Sequence, residues 1–138
     1  TFAVGRATNA HRDAYKKARE LIDSAIAMVK PGVTTDQIAA LWPTAQEFGF
    51  SSEMEAFGLQ FGHGLGLGLH ERPVISRLNS LENPVEIEPG MVFALETYWP
   101  ASDGHSAARI EEELVVTETG AELLTLFPAE ELFVTNPY

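Results

Sequence analysis

The sequence predicts an α+β chain, two N-terminal helices followed by a mostly antiparallel sheet. Three observations lead there. Apolar residues recur at helical spacing over residues 9–30, a capping signal opens a second helix at Thr34, and beyond Gly49 the apolar runs become short and strand-like with no βαβ alternation. Helices that precede such strands pack on one face of an antiparallel or mixed sheet.

Each element has its own signal. "TFAVG" at residues 1–5 alternates Phe2 and Val4 before a glycine, as a strand end does. Thr8 or Asn9 can cap the first helix. Tyr15, Ala18, Ile22, Ala25, Ile26 and Val29 form its apolar stripe, and "KPG" at 30–32 stops it. Thr34 with Gln37 reads as a capping box for a helix through Ile38, Leu41 and Trp42, which Pro43 kinks or shortens. "MVFALETYW" at 91–99 follows the turn signal "EPG" and is a strand by composition. "ARIEEELVVT" at 108–117 is another, and "AELLTL" and "ELFVT" are short apolar pieces near the end.

The chain has 138 residues, enough for one domain over 1–138 with a real core. It has no cysteine, which removes disulfides, thiolate metal sites and cysteine nucleophiles and fits the cytoplasm. Twenty acidic against nine basic residues give a net charge of -11. That field repels phosphate backbones, so nucleic acid is not an expected partner. It attracts metal ions and substrate amines. No apolar run approaches the roughly 18 residues of a membrane span, so a membrane is not expected either.

Residues 60–73, "QFGHGLGLGLHERP", hold glycines at 62, 64, 66 and 68 and two histidines seven apart, His63 and His70. A dinucleotide loop needs a third glycine where Leu67 stands and a helix where Arg72-Pro73 follows. A zincin helix needs a second histidine where Val74 stands. A strand whose glycines admit close neighbours remains, as does plain tight packing with incidental histidines. Residues seven apart on an unbroken strand face opposite ways, so His63 and His70 share a site only if the backbone turns between them. Glycines at 64, 66 and 68 permit that turn through positive φ.

Period-two alternation puts Val92, Ala94, Glu96 and Tyr98 on one face of the first long strand. Glu96 thus sits among apolar residues, where a carboxylate needs a cation or a proton. In the second strand Arg109, Glu111 and Glu113 share one face and Ile110, Glu112 and Leu114 the other. A solvated sheet face would explain any one of these glutamates. Taken with His63, Glu96 and Glu111 make a donor set for a divalent ion such as Mn²⁺, Co²⁺, Zn²⁺ or Fe²⁺, with room for water or substrate.

"GHGLGLGLHERP", "EPGMVFALE" and "ARIEEELVVTETGAELLT", in that order, resemble the C-terminal half of the pita-bread (M24-type) metallopeptidases, and residues 4–38 resemble the helix pair before them. That family includes methionine aminopeptidase, Xaa-Pro aminopeptidase, prolidase and creatinase, and the bacterial Xaa-Pro peptidases look nearest. The resemblance implies a pita-bread half with a curved sheet. It implies two divalent ions in a full-length parent, partial or no occupancy here, and His63, Glu96 and Glu111 as metal ligands. It implies His70 as the group that contacts substrate and stabilises the tetrahedral intermediate. Water activated by the ions attacks the scissile carbonyl while a carboxylate, Glu96, handles the proton. Arg109 joins His70 as a substrate-binding candidate.

The family also uses two aspartates upstream of a segment like "TFAVG". The expectation is therefore a C-terminal fragment, with the upstream half and any N-terminal domain outside this chain and little activity alone. Losing that half exposes sheet, so self-association through it is expected. Thr97 stands where the family has Pro, Glu112 where it has Asp, and Leu59 where Xaa-Pro-cleaving relatives often place another histidine. The alternatives are creatinase-like hydrolysis of a small non-peptide substrate, which Thr97 and Leu59 favour, and an inert module used for binding.

Overall fold

A computed structural model describes residues 1–56 and 60–136. In chain order these form β1 (Phe2–Val4), α1 (Asn9–Met28), α2 (Thr35–Ala39), a 3₁₀ turn (Ala45–Phe48), β2 (Gly62–Gly64), β3 (Glu71–Ile75) and α3 (Arg77–Ser80). There follow β4 (Val92–Glu96), β5 (Trp99–Pro100), β6 (Ala107–Ala108), β7 (Glu111–Val116), β8 (Ala121–Leu123) and β9 (Phe133–Thr135). The fold is α+β, as the sequence predicts. Among the described residues no helix is long and apolar enough to cross a membrane.

The helices start where their caps dictate. Thr8 Oγ1 accepts from the His11 N–H at 3.2 Å, and His11 Nδ1 accepts from the Thr8 N–H at 3.3 Å. From there α1 buries Ala14, Tyr15, Ala18, Ile22 and Ala25, four of them in the predicted stripe; Ile26 is half-buried and Val29 is buried at the C-cap. At α2, Gln37 Oε1 accepts from the Thr34 N–H at 3.0 Å. This helix ends short of Pro43, and Trp42 turns inward to stack on Phe61 at 4.8 Å.

Five strands form the main sheet in the order β3-β2-β4-β7-β8, every neighbour antiparallel. Its register assigns the faces. Gly62 pairs with both Ile75 and Leu95, Leu95 with Glu112, and Phe93 with Leu114, so these share one face. Ile75, Phe93, Leu95 and Leu114 are fully buried there with Ile22, Ile38 and Trp42 from the helical layer. The opposite face carries the row Val74–His63–Ala94–Glu113, and beside it the pair Glu96–Glu111.

Two strand expectations need revision. Residues 91–99 are not one strand: β4 ends at Glu96 and β5 begins at Trp99, so Tyr98 leaves the face it was assigned. Residues 108–117 likewise divide into β6 and β7, with Arg109 and Ile110 between them. The breaks match: β5 pairs with β6 as a separate two-stranded ribbon, so both long segments change sheets together. Buried Thr97 bridges the break, its N–H donating to Ile110 O at 2.8 Å. The end pieces also part company, β8 closing the main sheet and β9 pairing in parallel with β1.

Candidate metal and substrate site

His63, His70 and Glu96 come together on the face away from the helices. His63 is 2% exposed on β2, flanked by Val74 of β3 and Ala94 of β4. The chain leaves β2 at Gly64, bends through residues 65–70 and returns as β3, and this reversal lays His70 against His63 with ring centroids 4.1 Å apart. The predicted turn is present, but its mechanism is different. Positive φ occurs at Gly5, Gly32, Gly49, Gly90 and Gly104, and at none of Gly62, Gly64, Gly66 or Gly68. What the run requires is close approach: a Cβ on Gly64 would lie 2.3 Å from the Arg72 carbonyl oxygen.

Donor atoms of His63, His70 and Glu96 all lie within 4.8 Å of one another. His63 Nδ1 sits 3.0 Å from the Gly64 carbonyl oxygen. A carbonyl only accepts, so Nδ1 carries the proton and the lone pair of neutral His63 is on Nε2. That lone pair faces Glu96 Oε1 at 3.6 Å. Two electron-pair donors aimed at each other across this gap make an arrangement that a divalent cation completes. The second Glu96 oxygen is held by Arg109, whose Nη2 donates to Oε2 at 2.7 Å. Arg109 is therefore engaged with the site's own carboxylate.

Glu111 faces Glu96 across the β4–β7 pair. Like charges directly opposite destabilise a sheet, and partial burial and then the Glu96 carboxylate push Glu111 above the usual glutamate range. Its carboxylate is not in the tight group. The predicted metal set was His63, Glu96 and Glu111; the compact set is His63, Glu96 and His70, with Glu111 one strand away. Glu112 points the other way, into the core.

An open cleft of about 530 Å³ adjoins these groups, lined by Gln60, His70, Glu71, Arg72, Val74, Glu96 and Arg109. Gln60, Glu71 and Arg72 were not singled out in the sequence. A carboxylate three residues after the last of four alternating glycines was the available signal for Glu71, since such a segment leaves backbone N–H groups in need of acceptors. Leu59 lies outside the described residues.

Comparison with known proteins places the arrangement. Residues 1–118 match the model of metallopeptidase family M24. The chain belongs to that family. It is 32% identical over 142 residues to methionine aminopeptidase of Escherichia coli K12, covering 91% of this chain and 52% of that protein. Dipeptidase PepE of Mycobacterium ulcerans superposes with a TM-score of 0.73 at 30% identity, covering 96% of this chain and 34% of that one. The X-Pro aminopeptidase of Thermotoga maritima also gives 0.73, at 28% identity over 96% of this chain and 35% of that one. The M24 chain described here thus spans between 35% and 52% of the first curated relatives it matches. The pita-bread fold expected from the sequence is shown by these superpositions.

Proposed function

We propose that this chain forms the histidine-and-glutamate half of a metallopeptidase site that cleaves short peptides near an Xaa-Pro bond. The observation that carries the reading is the facing pair of lone-pair donors, His63 Nε2 and Glu96 Oε1, at the wall of an open cleft. Similarity to dipeptidase, X-Pro aminopeptidase and methionine aminopeptidase supports peptide substrates.

The residues fit a divalent ion, Mn²⁺, Co²⁺, Zn²⁺ or Fe²⁺ being suitable for imidazole and carboxylate donors. His63 and Glu96 would hold it, with Glu111 across the strand pair as the further ligand. A bound ion supplies Lewis acidity that lowers the pKa of water and polarises the scissile carbonyl. The chain's own groups do the rest. The Gly64 carbonyl fixes the His63 tautomer, and Arg109 fixes Glu96 through its outer oxygen. His70 stands exposed at the cleft wall, where a ring N–H can donate to a developing oxyanion. Glu96 is the acceptor for the proton released in the attack. Arg109, besides orienting Glu96, borders the cleft as a substrate contact.

Two ions would bring four positive charges against the two carboxylates of Glu96 and Glu111. We therefore assign the missing negative charge, two aspartates in the family pattern, to sequence outside this chain, consistent with the partial span of its relatives. The chain is then part of a larger cytoplasmic enzyme and has little activity alone. Thr97 does not argue for a creatinase-like reaction, because its side chain is buried and donates to the Ile110 carbonyl at 3.3 Å.

Calorimetric titration with Mn²⁺ and Co²⁺ tests the reading. Specific binding is expected for this chain and is lost in His63→Ala. Binding that is unchanged in His63→Ala sinks the assignment. If the isolated chain binds nothing, the same titration of the full-length protein decides, and silence there too ends the metal reading.

A further inference from the structure

The chemistry proposed above leaves one carboxylate in the cleft unused. Glu71 follows His70 directly and opens β3, but it does not point away along the strand. Its side chain folds back under the 65–70 bend. Glu71 Oε1 accepts from the Gly68 N–H at 2.5 Å. A Cβ on Gly66 would meet Glu71 Oε2 at 2.6 Å, and one on Gly68 would meet the same side chain at 3.3 Å. The alternate glycines thus form a floor cut to the shape of one carboxylate.

The bend needs such a clamp. Leu67 and Leu69 at its tip do not anchor it, since they are fully or largely exposed. Its backbone bonds to the rest of the chain are few: Leu65 N–H donates to Val92 O at 2.9 Å, and Gly66 N–H reaches Gly68 O within the bend at 3.4 Å. His70 is itself exposed, so neither burial nor any described hydrogen bond fixes its ring over His63. Glycine-rich backbone is the most costly kind to order. A charged acceptor on a backbone N–H is about twice as strong as a neutral one.

We infer that Glu71 is a positioning residue: its carboxylate closes the glycine bend and so holds His70 against His63 at the cleft. The inference rests on the reading of His70 as the substrate-contacting group, but its test does not require turnover or metal. It also accounts for Gly66, which must lack a side chain so that the carboxylate can seat.

The experiment is proton NMR of this chain, metal-free, with the two imidazoles assigned. Wild type shows a nuclear Overhauser contact between the His63 and His70 rings, as centroids 4.1 Å apart require. Glu71→Ala loses it while the Ile75 and Leu95 methyl signals of the core persist. Glu71→Gln, which keeps the acceptor oxygen, retains it. Gly66→Ala loses it in the wild type, and adding Gly66→Ala to Glu71→Ala changes nothing further, because the atom it would strike is gone. Persistence of the contact in Glu71→Ala, or its loss in Glu71→Gln, overturns the inference. Should Glu71→Ala lose the core signals, Gly66→Ala decides alone, since it unseats the same carboxylate from above. A chain that follows this pattern yet binds no metal at full length would sink the proposed function and leave Glu71 where it is.

Discussion

Glu111 is held in a state its surroundings resist. Partial burial raises its pKa first, and Glu96 across the strand pair raises it further. For a carboxylate with a raised folded value, the native state binds more protons than the unfolded state between the ordinary value, 4.5, and the raised one. Stability therefore falls as pH climbs through that window and stays lower above it. Glu111→Gln is expected to stabilise the metal-free chain at pH 7, and the advantage is expected to vanish below pH 4.5, read as urea midpoints across a pH series. On the proposed metal reading, saturating Mn²⁺ is expected to reverse the order, because an ion held by Glu111 stabilises the chain that keeps its carboxylate. A glutamine variant no more stable than wild type at pH 7 refutes the electrostatic account. The placement of these two glutamates was legible from alternation alone, since Val92, Ala94 and Glu96 do share the face that His63 occupies. The role of Arg109 was not. Alternation assigned it to an unbroken strand, and its bond to Glu96 arises at the break where that strand changes sheets. Glu71 was hidden for a different reason: a side chain that folds back on the preceding loop has no period.

Between elements, one buried ion pair fastens α1 to the sheet. Glu112 is 5% exposed on the core face of β7, where it accepts from Arg19 Nη1 at 2.7 Å and from the Thr125 hydroxyl at 2.6 Å. Burial alone would lower the Arg19 pKa, but bonds to Asp23 and Glu112 raise it instead, so its charge is secure. Removing one partner of a buried pair leaves the other charge uncompensated. Glu112→Leu should cost about 3 kcal/mol, the lower end of such losses because Asp23 still holds Arg19. Arg19→Met with Glu112→Leu should recover most of it, both read from chemical denaturation at constant m. A double variant as unstable as the single one contradicts the pair as the cause. Sequence placed Glu112 opposite Glu111 in facing, but its partner lies 93 residues away and no local pattern announces it. A second tie secures the start of α1. Asp103 accepts from the Ser106 hydroxyl, the Ser106 N–H and the His105 N–H, and stands 3.4 Å from His11 Nε2. Those bonds, the Ser106 hydroxyl first, hold its carboxyl far below the usual range. A depressed value contributes stability above the unfolded pKa, 3.8, and loses it as pH falls toward the folded one. Asp103→Asn should therefore be less stable than wild type at pH 7, with the gap closing below pH 3.8. Melting temperatures of both proteins across that range check it, and a gap independent of pH assigns the loss to packing instead.

For the molecule as a whole, charge and apolar surface oppose each other. Phe2 meets Phe127 and Phe133 edge to face and those two meet tilted, with centroids 5.6–6.3 Å apart, yet each stays about half exposed, and Leu126 beside them is 95% exposed. Three aromatic rings with that much free surface, at the two-stranded ribbon of β1 and β9, make a patch of the kind that seeks a partner. The ribbon itself was beyond sequence reading, because its strands pair in parallel from opposite ends of the chain. A net charge of -11 works against association of two copies, since every approach brings like charge together. Salt separates the two effects. The screening length falls from about 10 Å at 0.1 M to about 3 Å at 1 M, while apolar burial is not screened. Self-association is therefore expected to strengthen with sodium chloride, measured by sedimentation equilibrium at fixed protein concentration. Phe127→Ser with Leu126→Ser should keep the chain monomeric at 1 M. Association that weakens with salt would mean that charge pairs drive it, and a monomer at every salt concentration would show that the rings satisfy one another.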